Sequence, residues 1–86
     1  MPVKNFKKTV HVQYFAILRE NRGLSSESIT TLAETPLELY QELKSKYDFH
    51  LSRDRMKVAI NDEFRDWTVK LHSEDTVVFI PPVAGG

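Results

Sequence analysis

The chain has 86 residues, no cysteine, and equal numbers of basic and acidic residues, 12 of each. This length suits one small domain, and the balanced charge favours neither a nucleic-acid partner nor an anionic membrane. The absence of cysteine excludes a disulfide, a thiolate metal site, an iron–sulfur cluster and a cysteine nucleophile. Because no apolar stretch approaches the roughly 20 residues of a membrane span and the start lacks the apolar core of a secretory signal, we expect a cytoplasmic protein.

The first predicted strand follows a basic leader of residues 1–8. Over residues 9–15, apolar and polar side chains alternate, which is typical of a strand with one buried face. The alternation places Phe15 on the face opposite three apolar residues: Val10, Val12 and Tyr14.

A short helix and a second strand are predicted next. Residues 16–22 can wind into a helix, and Gly23 is well placed to end it. Residues 28–32 are a weaker strand candidate, which we pair with the first strand.

The clearest helix signal starts at Thr35. Thr35 is a predicted N-cap, Pro36 suits the first helical position, and Glu38 completes a capping-box pattern. The helix is predicted to run to about residue 47, because its apolar residues recur at helical spacing and form one stripe: Leu39, Tyr40, Leu43 and Tyr47.

The second half of the chain predicts two or three strands that end at the tail. The alternation over residues 56–60 indicates the first of them. A turn at Asn61-Asp62 leads to a short strand over residues 63–68, and a turn at residues 73–75 precedes the final strand, residues 76–80.

This order of elements predicts an α+β fold in which a mixed sheet packs on one main helix, the ubiquitin-like β-grasp arrangement. The folded domain spans residues 9–80, and residues 81–86 form an extended C-terminal tail. The alternative is a ferredoxin-like split β-α-β fold, which requires a second long helix that the sequence does not show.

The side chains predict neither a metal site nor a bound cofactor. The three histidines, His11, His50 and His72, fall on different predicted elements and lack metal-ligand spacing. No phosphate-binding glycine loop or nucleophile motif is present. Any chemistry of this chain must therefore depend on another feature.

The end of the chain supplies that feature. Pro81 and Pro82 cannot continue a sheet ladder, because proline lacks the amide N–H, and a proline pair favours a stiff, extended exit. The last four residues carry small side chains or none: Val83, Ala84, Gly85 and Gly86. Such a tail can thread a narrow channel and present the Gly86 carboxylate to another protein's active site. A terminal glycine pair arises by chance in only about one chain in two hundred.

A C-terminal carboxylate is a poor electrophile and reacts only after activation as an acyl phosphate or acyl adenylate. Glycine suits this step, since no β-carbon crowds the carbonyl. Attack by a lysine amine then gives an isopeptide conjugate, and attack by a sulfide equivalent gives a thiocarboxylate. Neither reaction needs a catalytic group on this chain, because the activating enzyme supplies ATP binding and electrostatic stabilisation.

Aromatic residues provide candidates for a partner surface. Phe15 lies opposite the predicted buried face, and Phe64 follows a turn between two charged residues. These side chains either fill the core or form an exposed apolar patch near the tail, of the kind that marks a partner site. Phe79, near the end of the final strand, is a further aromatic candidate for this surface.

Several segments resemble the small subunit of molybdopterin synthase, in the right order and spacing from about Val10 to Gly86. They are the ending from Phe79 to Gly86, residues 14–20, residues 58–61 and the final strand anchored at Asp75. The proline pair is the most specific element, because thiamine-pathway sulfur carriers and ubiquitin-related modifiers share the glycine pair and the fold but usually lack it. One departure is the turn at residues 73–75, Ser-Glu-Asp, where the family commonly has Asp-Gly-Asp.

The resemblance implies a β-grasp sulfur carrier whose Gly86 is adenylated by an E1-like enzyme with ATP and then converted into a thiocarboxylate. The tail enters the active site of a large catalytic subunit, where the sulfur converts cyclic pyranopterin monophosphate into the dithiolene of molybdopterin. The chain is then a non-catalytic, sulfur-donating subunit of a sulfurtransferase.

The resemblance also implies an assembly and an interface. In the family, two small subunits flank two large ones, and the hydrophobic contacts with the large subunit fall by position on Phe15, Phe64 and Ile80. Three alternatives stay open: a modifier conjugated to lysines through Gly86, a sulfur carrier for another pathway such as thiamine or thiolated tRNA, and a plain interaction module with an incidental tail.

Overall fold

The computed structural model describes residues 7–82, which form five strands, two α-helices and one turn of 3-10 helix. The predicted leader is outside this range except for its last two residues, and Lys8 is already the first residue of a strand. The elements in chain order are β1 (Lys8–Tyr14), α1 (Ala16–Arg22), β2 (Ser26–Thr31), α2 (Pro36–Tyr47), the 3-10 turn (Arg53–Arg55), β3 (Lys57–Ile60), β4 (Glu63–Arg65) and β5 (Thr76–Ile80).

The strands form one mixed sheet in the order β2-β1-β5-β3-β4. β1 and β5 are parallel neighbours, and the other pairs are antiparallel. The last strand of the chain therefore lies in the centre of the sheet, and α2 is the main helix packed against it. This architecture confirms the predicted β-grasp fold. Within residues 7–82, no helix is long and apolar enough to cross a membrane.

α1 ends and α2 begins at the residues that the sequence signals predict. α1 ends at Gly23, whose φ of 82° is the left-handed conformation that favours glycine. α2 begins at the N-cap Thr35, whose hydroxyl accepts a hydrogen bond from the Glu38 amide at 3.1 Å. The Glu38 carboxylate accepts from the amide of Glu34 rather than from that of Thr35, so the capping interaction reaches one residue further than the standard box.

One face of the sheet, here called the inner face, packs against α2. The strand register places Val12 beside Val77 and Tyr14 beside Phe79, and β3 contributes Val58 to the same layer. All of these side chains are buried. The predicted alternation of β1 is confirmed, and the apolar stripe of α2 supplies the other half of the core through Leu39, Tyr40 and Leu43.

The predicted strand over residues 63–68 is wrong in its length. β4 ends at Arg65, because the chain then turns away from the sheet toward the start of α2. The Trp67 carbonyl accepts a hydrogen bond from the Leu37 amide at 3.0 Å, and Trp67 packs edge-on against Tyr40. An amide N–H in the first turn of a helix has no acceptor within the helix, and the Trp67 carbonyl provides one.

The start of β5 is held by a buried carboxylate. Asp75 is 8% exposed and accepts hydrogen bonds from the Asn61 side-chain amide at 2.9 Å and from the His72 backbone amide at 2.7 Å. The Asn61 side-chain oxygen in turn accepts from the Thr76 amide at 2.9 Å. These bonds connect the β3–β4 turn to the start of the central strand, at the end opposite the tail.

Candidate functional site: the tail exit and the outer face

The tail leaves from the end of the central strand. β5 ends at Ile80, Pro81 is buried and Pro82 is exposed. Proline cannot donate to either neighbouring strand, so the ladder ends here. The remaining predicted tail residues, Val83, Ala84, Gly85 and Gly86, lie outside the described residues.

Two grooves flank the proline pair. One, of about 460 Å³, is lined on its far side by residues 54–57, including Arg55 and Lys57. The other, of about 280 Å³, is lined by α1 and Leu51, with Ile17 exposed at its edge. The exit is therefore open on both sides, one basic and the other mainly apolar.

The outer face of the sheet, opposite α2, carries the predicted aromatic residues. The register aligns Gln13, Val78, Ala59 and Phe64 side by side across four neighbouring strands. Phe15, at the junction of β1 and α1, and Ile80, at the end of β5, line the same groove as Phe64. Phe15, Phe64 and Ile80 therefore share one surface beside the tail exit, although Phe15 and Ile80 are 65 positions apart in the sequence.

Exposure decides between the two interpretations of these aromatics. Phe15 is 46% exposed and Phe64 is 68% exposed, whereas Val78 and Ala59 beneath them are nearly covered. An apolar patch with such open side chains at its edges is typical of a partner surface. Phe15 and Phe64 are therefore not core residues, and their role as partner anchors stays a prediction.

Phe79 does not belong to this surface. Its side chain is fully buried on the inner face, where its ring lies 5.4 Å from the Tyr40 ring and 5.9 Å from the Trp67 ring, centre to centre. Strand alternation is the cause, since Phe79 follows Val78 and must face the opposite side from it. Its predicted place in the interface is corrected to a place in the core.

Sequence reasoning missed other members of the site. Val78 and Ala59 form its floor, Ile17 widens it along α1, and Arg55 and Lys57 give one flank its charge. The strand alternation of β3 and β5 could have identified the floor. The flank could not be found this way, because Lys57 reaches the exit through its pairing with Ile80 and Arg55 through the 3-10 turn that precedes β3.

A well-connected ionisable group, Glu27, lies on β2 and lines neither of the two grooves at the exit. The Glu27 carboxylate accepts two hydrogen bonds from the Arg22 guanidinium, both 2.8 Å, and a third from the Tyr14 hydroxyl at 2.6 Å. The bonds from Arg22 hold the pKa of Glu27 below its usual value, while burial, followed by the bond to Glu27, raises the pKa of Tyr14. Arg22 also stacks 4.0 Å above the Tyr47 ring. This cluster joins both helices to the sheet.

The described residues hold no group of three or more histidine or acidic side chains that could bind a metal ion. Outside the two grooves, His11 contacts Ser28 and Glu74 on the outer face at 2.9 and 2.8 Å. These contacts lie at the far end of β1 from the exit. The geometry at the exit is thus that of a binding surface around a chain end.

The chain belongs to the ThiS family, whose pattern it matches over residues 12–86. It therefore has the fold of the ThiS-family sulfur carriers. The matched range begins within β1 and continues to the last residue, so it covers both the outer face and the tail.

Solved structures agree with this assignment. A Pyrococcus furiosus protein provisionally assigned as molybdopterin converting factor subunit 1 is 28% identical, with a TM-score of 0.71 over 88% of this chain and 99% of that one. The Helicobacter pylori complex of subunits 1 and 2 of molybdopterin-converting factor gives 26% identity and a TM-score of 0.62, over 91% and 99%. The resemblance drawn from the sequence is confirmed at this level.

A third solved structure with the same fold is a protein modifier. Small archaeal modifier protein 1 from Methanosarcina acetivorans is 21% identical, with a TM-score of 0.75 over 94% of this chain and 99% of that one. At this identity the likeness concerns the fold alone. Sulfur carriers and protein modifiers thus share one scaffold, and the tail and its surroundings must distinguish them.

Proposed function

We propose that this chain is the sulfur-carrier subunit of a molybdopterin synthase, with Gly86 as its reacting residue. The observation that carries the proposal is the family match through residue 86, which includes the proline pair and the terminal Gly85-Gly86. The similarity to molybdopterin converting factor subunit 1 supports the choice of this pathway.

The proposed reaction has two stages on the Gly86 carboxylate. In the first, a carboxylate oxygen attacks the α-phosphate of ATP, and pyrophosphate leaves to give an acyl adenylate. In the second, a sulfide equivalent attacks the acyl carbon and AMP leaves with its electron pair, which gives the thiocarboxylate. An E1-like enzyme binds the ATP and brings the sulfide equivalent to the adenylate, since this chain contains no cysteine that could hold sulfur.

Sulfur delivery returns the carrier to its starting state. For each sulfur atom, the thiocarboxylate sulfur displaces an oxygen substituent from a side-chain carbon of the pterin precursor, cyclic pyranopterin monophosphate, which gives an acyl thioester. Water then attacks the acyl carbon and the acyl C–S bond breaks, so that the sulfur stays on the pterin and the carboxylate is restored. A dithiolene contains two sulfur atoms, so each product consumes two thiocarboxylates. The active site in this proposal lies on the large subunit, in the cytoplasm, within an assembly of two small and two large subunits.

The chain's own part is to bind and to position. Phe15, Phe64 and Ile80 line one groove beside the exit, and we assign this apolar surface to the contact with the large subunit. The complex of the two Helicobacter pylori subunits supports a partner of this kind. Pro81 is buried and Pro82 is exposed, and in this proposal the residues that follow them enter the partner's active site.

A reconstituted assay tests the proposal. The chain is incubated with the activating enzyme, ATP and sulfide, and the large subunit and pterin precursor are then added. We expect molybdopterin from the full chain and none from a variant lacking Gly86, with identical melting curves for both proteins. Full activity without Gly86 would overturn the proposal.

A second experiment distinguishes a sulfur carrier from a protein modifier. A conjugated modifier forms isopeptide bonds with lysines, which appear as ladders when a tagged chain is blotted after incubation in cell extract. Ladders that need Gly86, together with no molybdopterin, would transfer the assignment to a modifier.

A further inference from the structure

One flank of the tail exit carries a cluster of positive charge. Arg55 and Lys57 line the groove beside Pro81 and Pro82, and Lys57 also lines the neighbouring groove that contains Phe64 and Arg65. We call Arg55, Lys57 and Arg65 the cationic rim. All three residues are exposed, and Lys57 pairs directly with Ile80 in the sheet.

The charge of the rim is not neutralised within the described range. Arg55, Lys57 and Arg65 take part in none of the ion pairs formed among residues 7–82. The acid that lines the same groove, Asp54, is paired with Arg53 at 3.7 Å. The rim therefore presents a net positive potential beside the exit, although the whole chain has a formal net charge of zero.

The opposite flank has a different character. It is formed by Ala16, Ile17 and Leu51, with Glu20 as its charged lining residue. A partner that surrounds the tail therefore meets a cationic surface on one side and an apolar surface with one acid on the other. Such asymmetry can fix the rotation of the partner around the tail, which an apolar contact alone specifies weakly.

When the tail is extended inside a channel, the rim lies far from the reacting group. A peptide of four residues spans roughly 14 Å when it is extended, and four residues follow Pro82. The cations beside the prolines thus meet the mouth of a channel when the tail occupies its interior. A role in holding ATP or the substrate phosphate at the reacting carboxylate is disfavoured for this reason.

We propose that the cationic rim docks against an acidic surface at the mouth of the tail-receiving channel of the large subunit. This inference rests on the proposed function, because it takes the large subunit as the partner. The rim is continuous with the apolar outer face through Lys57, which lies between Ile80 and the Phe64 groove. Docking of the outer face therefore brings the rim against the same protein.

Exposed charges of this kind act mainly on the rate of association. Complementary potentials steer the encounter and raise the association rate by 10-fold or more at low salt. Screening removes this gain at high ionic strength, where the Debye length falls to a few ångström. The apolar anchors instead determine the dissociation rate.

The test measures association and dissociation rates between this chain and the large subunit from the same organism, at 50 and 500 mM NaCl. The rim variant is Arg55→Glu with Lys57→Glu. The matched control is Lys44→Glu with Lys46→Glu, which reverses two exposed charges on α2 outside both grooves. Both variants change the net charge equally, so a difference between them reports the position of the charge.

We expect the rim variant to associate about 10-fold more slowly at 50 mM NaCl, with this loss reduced to less than about 3-fold at 500 mM. The control should differ from the unmodified chain by less than about 2-fold. Equal rates for rim variant and unmodified chain, or equal losses in the two variants, would overturn the inference.

Thiocarboxylate formation separates this failure from failure of the proposed function. If the chain forms a thiocarboxylate and binds the large subunit without any effect of the rim, the inference fails and the function stands. If the unmodified chain does not bind the large subunit at all, both fail.

Discussion

The inner and outer faces of the sheet are built from the same strands, yet they have opposite properties. On β5, Val77 and Phe79 are fully buried against α2, whereas Ile80 faces the groove that holds Phe15 and Phe64. On β3, Val58 faces the core and Ala59 forms part of the outer floor. Residues adjacent in sequence therefore serve different purposes.

This division shows how a small domain accommodates both stability and recognition. A chain of this size can bury only one modest core, and the inner face provides it. The outer face can then keep large apolar side chains exposed without loss of stability to the fold. Because the tail follows the central strand of the sheet, the tail exit borders both the inner and the outer face.

The largest expected effect separates the two faces directly. Phe79→Ala removes a fully buried ring from the inner face, so the free energy of unfolding should fall by ~3–5 kcal/mol. Chemical denaturation of the free chain measures this loss. A loss below ~1 kcal/mol would contradict the assignment of Phe79 to the core.

The matched change on the outer face is Phe64→Ala. Because Phe64 is 68% exposed, the free energy of unfolding should change by less than ~0.5 kcal/mol. Binding to the large subunit should weaken by ~1–3 kcal/mol, as for aromatic anchors in general. Titration calorimetry measures the binding term, and Phe15→Ala should behave alike. Unchanged affinity in both variants would show that this face is not the interface.

The pH dependence of stability tests the polar border of the inner face. Since the bonds from Arg22 lower the pKa of Glu27 in the folded chain, the folded state binds fewer protons there than the unfolded state. Glu27 therefore stabilises the fold above the pKa of an ordinary glutamate, about 4.3, and this contribution is lost as the pH falls through the lower folded pKa.

Glu27→Gln should cost roughly 1–2 kcal/mol at pH 7 and make the loss of stability between pH 6 and pH 3 less steep. Denaturation at a series of pH values measures both effects. In a double-mutant cycle with Arg22→Met, the two changes should be non-additive. Additive losses would show that the pair carries no interaction energy.

The smallest expected effect lies at the far end of the outer face. Glu74 has a φ of 73°, in the left-handed region that favours glycine, and the related small subunits commonly have glycine at this position of the turn. Glu74→Gly should relieve this strain but remove the exposed contact to His11. We expect a gain in the free energy of unfolding of up to about 1 kcal/mol, measured by thermal melting. A loss above 1 kcal/mol would show that the His11 contact stabilises the sheet.

Local signals predicted much of this fold. The alternation of β1, the glycine that ends α1 and the N-cap Thr35 of α2 each depend on a few neighbouring residues, and each is confirmed by the structure. The other half of the predicted capping box is wrong, because the Glu38 carboxylate accepts from the Glu34 amide instead of the Thr35 amide. The turn at Asn61-Asp62 is likewise local, since both residues have the positive φ that a two-residue hairpin turn requires.

Features that depend on distant contacts were not predictable in this way. β4 stops at Arg65 because Trp67 turns toward the start of α2. Phe49 and Leu71 are buried although they lie in loops. The cationic rim arises only when β5 brings the prolines beside residues 54–57. In each case a contact between residues far apart in the sequence determines the local structure, and the periodicity of the sequence does not predict that contact.

The same distinction applies to the candidate site. The tail and two of its aromatic neighbours, Phe15 and Phe64, could be selected from the sequence, because their residue types are unusual in their positions. The sequence prediction places Phe79 in the interface because it considers residue type and not the register of β5. Strict alternation along β5 would have corrected it.

The central claim is that Gly86 becomes a thiocarboxylate, and mass spectrometry of the C-terminal peptide tests it most directly. The chain is incubated with the activating enzyme, ATP and sulfide and is then treated with a thiol-alkylating reagent. Alkylation is needed because oxidation of Met1 or Met56 adds nearly the same mass as replacement of oxygen by sulfur. The chain has no cysteine, so no cysteine side chain competes for the reagent. We predict an alkyl adduct at Gly86. An unmodified Gly86, with an enzyme that is active on its own carrier, would contradict the account.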